Sequence, residues 1–82
     1  MKISVTQSCI DKGAIQDGDK CMVALAFKRA GVKDAFVGHS QVVINYMKDN
    51  EKHISLPAEV RENIEAFDNG KEVEPFEFEI AV

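Results

Sequence analysis

The chain has 82 residues, 45% of them apolar and 29% charged, with a formal net charge of −4. A chain this short buries only about 60–65% of its unfolded surface, which excludes a deep two-lobed cleft, and its apolar content excludes a disordered chain. Two cysteines are too few for a disulfide scaffold, and the opening MKISVTQ lacks the apolar core of a secretory leader. A single domain over residues 1–82, cytoplasmic and with free thiols, is expected.

Residues 1–5 alternate, Ile3 and Val5 against Lys2 and Ser4, and predict a first strand. Residues 6–19 read as an irregular connection in which Ser8 can cap a short turn holding Cys9 and Ile10. Residues 19–31, DKCMVALAFKRAG, form the densest apolar run of the chain. Asp19 is placed to cap a helix there, Lys28 and Arg29 suit its last turn, and Gly31 suits its stop.

Beyond Gly31 the pattern shortens. Residues 35–37 predict a strand and residues 38–40 a turn. Residues 41–47 predict a third strand, with Val42, Ile44 and Tyr46 on one face and Gln41, Val43 and Asn45 on the other. After a polar turn at 48–52, residues 53–56 return with Ile54 and Leu56 inward, completing a meander. Pro57 opens the clearest helix, with Val60, Ile64 and Phe67 in one stripe, Glu59 in the first turn and Gly70 at the stop. Residues 75–80 alternate strictly, turning Phe76, Phe78 and Ile80 inward and Glu77 and Glu79 to water. The expected order is β-α-β-β-β-α-β, an α+β domain with two helices packed on one face of a mainly antiparallel sheet.

Catalytic chemistry finds little to work with. Cys9, Cys21, His39 and His53 are suitable residue types for zinc, but they lie 12, 18 and 14 positions apart, and structural sites bring their ligands in close pairs. Cys21, near a helix N-terminus, is the candidate nucleophile, with His39 or His53 as its base. Six apolar residues follow it, so it reads as a buried, inert thiol. Gly13 and Gly18 do not make a phosphate loop, because no GK[S/T] follows and Asp17 and Asp19 would repel a phosphate. No catalytic, cofactor-binding or metal-binding residue is expected, and the protein is expected not to be an enzyme.

The charge is unevenly placed. Residues 1–58 carry eight Lys/Arg against six Asp/Glu, whereas residues 59–82 carry two against eight. That acidic third would repel nucleic acid. Glu62, Glu65, Asp68, Glu72, Glu74, Glu77 and Glu79 form the candidate partner-binding surface, because a fixed array of carboxylates attracts a protein with a basic surface. The plainer alternative is a solvated face that keeps a small domain soluble. A second class of function is a structural or assembly protein that pairs with itself through an open sheet edge. A monomer or weak homodimer, with no membrane contact, is expected.

Two stretches, CMVALAFKRAG and LPAEVRENIEAFDNGKEVEPFEFEI, resemble a group of small proteins encoded by bacteriophages and prophages. The shared pattern is a cysteine-containing helix, a β segment, an L-P-x-E-V helix, an F-D-x-G stop and a V-E-P-F-E-F-E-I-like tail. The resemblance implies a bacterial host. It also implies a role in binding a host protein, anti-CRISPR proteins being one such class. The acidic surface, which suits a basic nucleic-acid-binding face, directs that expectation to a host complex that handles nucleic acid. The resemblance supplies no functional residue.

Overall fold

The computed structural model describes residues 1–81. In chain order the elements are β1 (Lys2–Val5), α1 (Gln7–Lys12), α2 (Met22–Arg29), β2 (Phe36–Val37), β3 (Gln41–Ile44), β4 (Lys52–Ser55), α3 (Ala58–Asp68) and β5 (Phe76–Glu79). The α+β class and the antiparallel pairing are as expected. Two details differ. A third helix, α1, fills part of the stretch expected to be irregular, and the strands divide between two sheets.

In the first sheet β1 pairs antiparallel with β5, with Ile3 opposite Phe78 and Val5 opposite Phe76. In the second, β3 lies between β2 and β4, with Val42 facing both Val37 and Ile54. Helix α2 packs against β1, β2 and α1, and so joins the two sheets. Its Phe27 is fully buried and meets Phe78 edge to face, with ring centroids 6.1 Å apart. One cluster unites Ile3, Val5, Met22, Val23, Phe27, Val42, Val60, Ile64, Phe67 and Phe78, while Leu25 and Phe76 pack against it half-buried. Among the described residues no polar or charged side chain is buried.

Local chemistry sets the helix ends. Thr6, two residues before the expected Ser8, caps α1 by accepting the Cys9 amide at 3.4 Å. Asp19 does not cap α2. That role falls to Cys21, whose sulfur accepts the Ala24 amide at 3.4 Å. Pro57 is the N-cap of α3 rather than its first residue. Helices α2 and α3 end alike. Gly31 (φ +94°) and Gly70 (φ +75°) adopt the left-handed conformation, and the amides of Val32 and Lys71 reach back to Phe27 and Ala66, each at 2.9 Å.

The strand expected over 41–47 stops at Ile44. Asn45 and Met47 take positive φ values of 58° and 63°, which turns the chain early. Tyr46 therefore leaves the inward face assigned to it and stacks on Phe36 at 4.8 Å, and Met47 stands in water. The turn is held by Lys48 against Asp34 at 2.6 Å and by the Glu51 carboxylate, which accepts the Met47 amide at 2.9 Å. That hydrogen bond, with a second from His53, holds the Glu51 carboxyl below its usual range.

Candidate protein-binding groove

Helix α3 buries Val60, Ile64 and Phe67, so its 3.6-residue period turns Arg61, Glu62 and Glu65 outward. The loop between α1 and α2 crosses near the end of this helix. Its shape is held by hydrogen bonds. The Asp17 carboxylate accepts the amides of Asp19 and Lys20 at 3.0 and 3.2 Å, and the Asp17 carbonyl accepts the Cys21 amide at 2.9 Å. Gln16, at φ +58°, donates its amide to Asp68 Oδ1 at 2.9 Å. This contact latches the loop to α3 across 52 residues of sequence.

Between loop and helix run two adjoining depressions of about 550 and 430 Å³ that share Gln16, His39 and Asp68. The first is walled by Arg61, Glu62 and Glu65. The second continues past Asp17 and Gly18 to Phe36 and Val37 of β2, with Cys21 and Ile64 on its lining. Asp17, Glu62, Glu65 and Asp68 thus face one continuous groove, with Arg61 and His39 as its basic side chains. Phe36 gives it an aromatic wall that continues into the stacked Tyr46 ring.

The acidic residues singled out from the sequence are not one array. Glu62, Glu65 and Asp68 come together in this groove. Glu72 and Glu74 line a separate depression of about 630 Å³ beside Ile10, Asp11 and Ile15, with Lys71 among them. Glu77 and Glu79 do share the solvent face of β5, as expected, but Ser4 and Lys2 of β1 lie directly opposite them. Glu77 accepts from both, at 3.2 Å each. An exposed pair of this kind adds little stability, but it partly neutralises that face. Sequence reasoning missed Gln16, Asp17, His39 and Arg61 as groove residues, because only folding brings the α1–α2 loop and the β2–β3 turn up to Arg61 on α3.

Both cysteines are free and buried. Burial pushes the Cys21 thiol up, and the charges of Asp68 and Asp17 add to the rise against hydrogen bonds from the Ala24 and Val23 amides. The Cys21 sulfur thus serves as the cap of α2. Among the described residues no group of three or more His, Cys, Asp or Glu is arranged to hold a metal ion, and no helix is long and apolar enough to cross a membrane. Comparison with protein-family models, curated proteins and solved structures gave no match.

Proposed function

We propose that the protein is a non-catalytic binding module whose α3 groove receives a Lys/Arg-bearing segment of a protein partner. The observation that carries this reading is the convergence of Asp17, Glu62, Glu65 and Asp68 on one groove, with the loop side pinned by the Gln16–Asp68 hydrogen bond. The Asp17 and Asp68 carboxylates, held by backbone amides, cost little to reorder on binding, and the field they share with the exposed Glu62 and Glu65 speeds the encounter with a basic surface. Glu72 and Glu74, in their separate depression, and Glu77 and Glu79, on the β5 face, add to the negative field of the chain as a whole. Together with the resemblance to phage-encoded proteins, this supports an inhibitor that occupies the basic nucleic-acid surface of a host protein by presenting carboxylates where phosphates would lie.

Self-association through a sheet edge has less support. The edge strands of the larger sheet are β2, two residues long, and β4, four residues long and opened by Lys52. Short, charged edges discourage pairing.

Affinity capture from a bacterial lysate tests the proposal. The parent chain should retain a specific protein that is released by salt, and the combined Glu62→Gln, Glu65→Gln and Asp68→Asn variant should not. Equal capture of the same protein by both would refute it.

A further inference from the structure

The sheet of β1 and β5 has two strands only, so each of them is an edge. The register of the pair says which backbone groups face out. Met1 and Ile80 exchange both hydrogen bonds, the Met1 nitrogen donating to the Ile80 carbonyl at 2.8 Å and the Ile80 amide to the Met1 carbonyl at 3.0 Å. Such pairs alternate with non-bonded ones in an antiparallel ladder. Ile3–Phe78 and Val5–Phe76 are therefore bonded pairs, and Lys2–Glu79 and Ser4–Glu77 are not. The N–H and C=O groups of Glu77 and Glu79 thus point away from β1, and among the described residues no backbone group meets them.

The same two residues set a charge pattern along that edge. Their side chains stand on the solvent face of β5, whereas Phe76, half-buried, and Phe78, buried, lie on the other face. Among the described residues Glu79 is in no ion pair. The outer edge of β1 has no such pattern, since its Lys2 and Ser4 side chains are both engaged by Glu77. A strand added to β5 would send its own side chains to the same two faces in alternation.

We propose that the open edge of β5 takes an extended segment of a partner protein, antiparallel, with Lys or Arg at two alternate positions and an apolar residue between them. The cations lie opposite Glu77 and Glu79, and their backbones supply the partners for the outward N–H and C=O groups. The apolar residue lies opposite Phe78, beside the half-buried Phe76. A second copy does not fit. Its β5 would set Glu77 against Glu79 twice, like charges directly opposite. No strand among the described residues carries cations at two alternate positions. The chain's basic depression of about 330 Å³, lined by Ser8, Cys9, Lys12, Leu25, Lys28 and Arg29, is formed by α1 and α2 and offers no strand. Oligoarginine does not fit either, because it would set a charge against Phe78. The β5 edge is separate from the α3 groove, and neither reading rests on the other.

The test titrates the parent chain with acetyl-Lys-Val-Lys-Val-Lys-amide and follows amide hydrogen exchange. In the free chain Glu77 and Glu79 should exchange fast and Phe78 slowly, and the peptide should slow Glu77 and Glu79 about tenfold. N-methylation of the Lys nitrogens, which removes the donors facing β5, should weaken binding about tenfold. N-methylation of the Val nitrogens, which face away, should leave it unchanged. The Glu77→Gln, Glu79→Gln chain should bind about threefold more weakly, and a Glu-Val-Glu-Val-Glu peptide should not bind the parent. The Glu62→Gln, Glu65→Gln, Asp68→Asn chain should bind as the parent does, so that failure here and failure of the groove are told apart. Glu77 and Glu79 amides as protected as Phe78 in the free chain would assign the edge to a second copy. That result, binding indifferent to methylation of the Lys nitrogens, or peptide-induced protection centred on Gln16 instead of β5, would each overturn the proposal.

Discussion

The α3 groove and the α1–α2 depression are built from the same kind of part and carry opposite charge. In the groove, Asp17, Glu62, Glu65 and Asp68 outnumber Arg61 and His39, whereas in the depression Lys12, Lys28 and Arg29 meet no acid. Each combines a helix face with residues contributed by another segment. In the groove the Asp68 carboxylate is fastened to the Gln16 amide, and in the depression Arg29 is fastened to Thr6. The difference shows how a domain of 82 residues can present two unlike surfaces. Its one core fixes the backbones of both, and the outward residues of α2 and α3 are then free to diverge.

The shared core provides the largest expected effect. Phe27 lies fully buried between the helices and β5, and Phe27→Ala should cost about 3–5 kcal/mol, a large part of the total stability of a small domain. A urea melt should show groove and depression lost in one transition. Two separate transitions would break the view that one core supports both.

Next comes Gly13, beside which atoms of α1, α2 and α3 all lie. A Cβ there would meet the Met22 nitrogen at 2.6 Å, the Cys9 oxygen at 2.9 Å and the Phe67 ring at 2.9 Å. Gly13→Ala should therefore destabilise by about 1–3 kcal/mol, measured by the same melt, with the amide resonances of α1, α2 and α3 all displaced. A variant as stable as the parent would show that these helices can slide apart.

Smaller still is the latch. Asp68→Ala removes the acceptor of the Gln16 amide and should cost about 1 kcal/mol. Hydrogen exchange at Gln16 should quicken while the depression around Cys9 is unaffected. Least of all, Glu62→Gln and Glu65→Gln should change stability by no more than about 0.5 kcal/mol, since both side chains are exposed. Their effect should appear only in binding, which separates a recognition role from a structural one.

Much of the core was legible in the sequence. The Val60–Ile64–Phe67 stripe, the alternation of Phe76, Phe78 and Ile80, and the glycine stops at Gly31 and Gly70 each follow from a repeating period or a backbone need. What was illegible depends on contacts between distant residues. Helix α1 buries only Cys9, too little apolar surface to give a period. Gln16 and Met47 take left-handed conformations that their residue types do not announce. The acidic third was plain as a count of charges, but its division among a groove, a second depression and a partly neutralised strand face was not. That division follows from strand register and from the loop crossing α3. The basic depression left no trace in the charge totals, because Lys12 and the Lys28–Arg29 pair meet only when α1 packs on α2.

The measurement that bears most directly on the binding account is amide chemical-shift mapping of the parent chain titrated with an oligoarginine peptide. The shifts should centre on Gln16, His39, Arg61, Glu62, Glu65 and Asp68. They should fade as salt shortens the Debye length from about 10 Å at 0.1 M to about 3 Å at 1 M, and vanish in the Glu62→Gln, Glu65→Gln, Asp68→Asn variant. Shifts centred on Glu77 and Glu79, or spread evenly over every carboxylate of the chain, would contradict the assignment of the groove as the binding site.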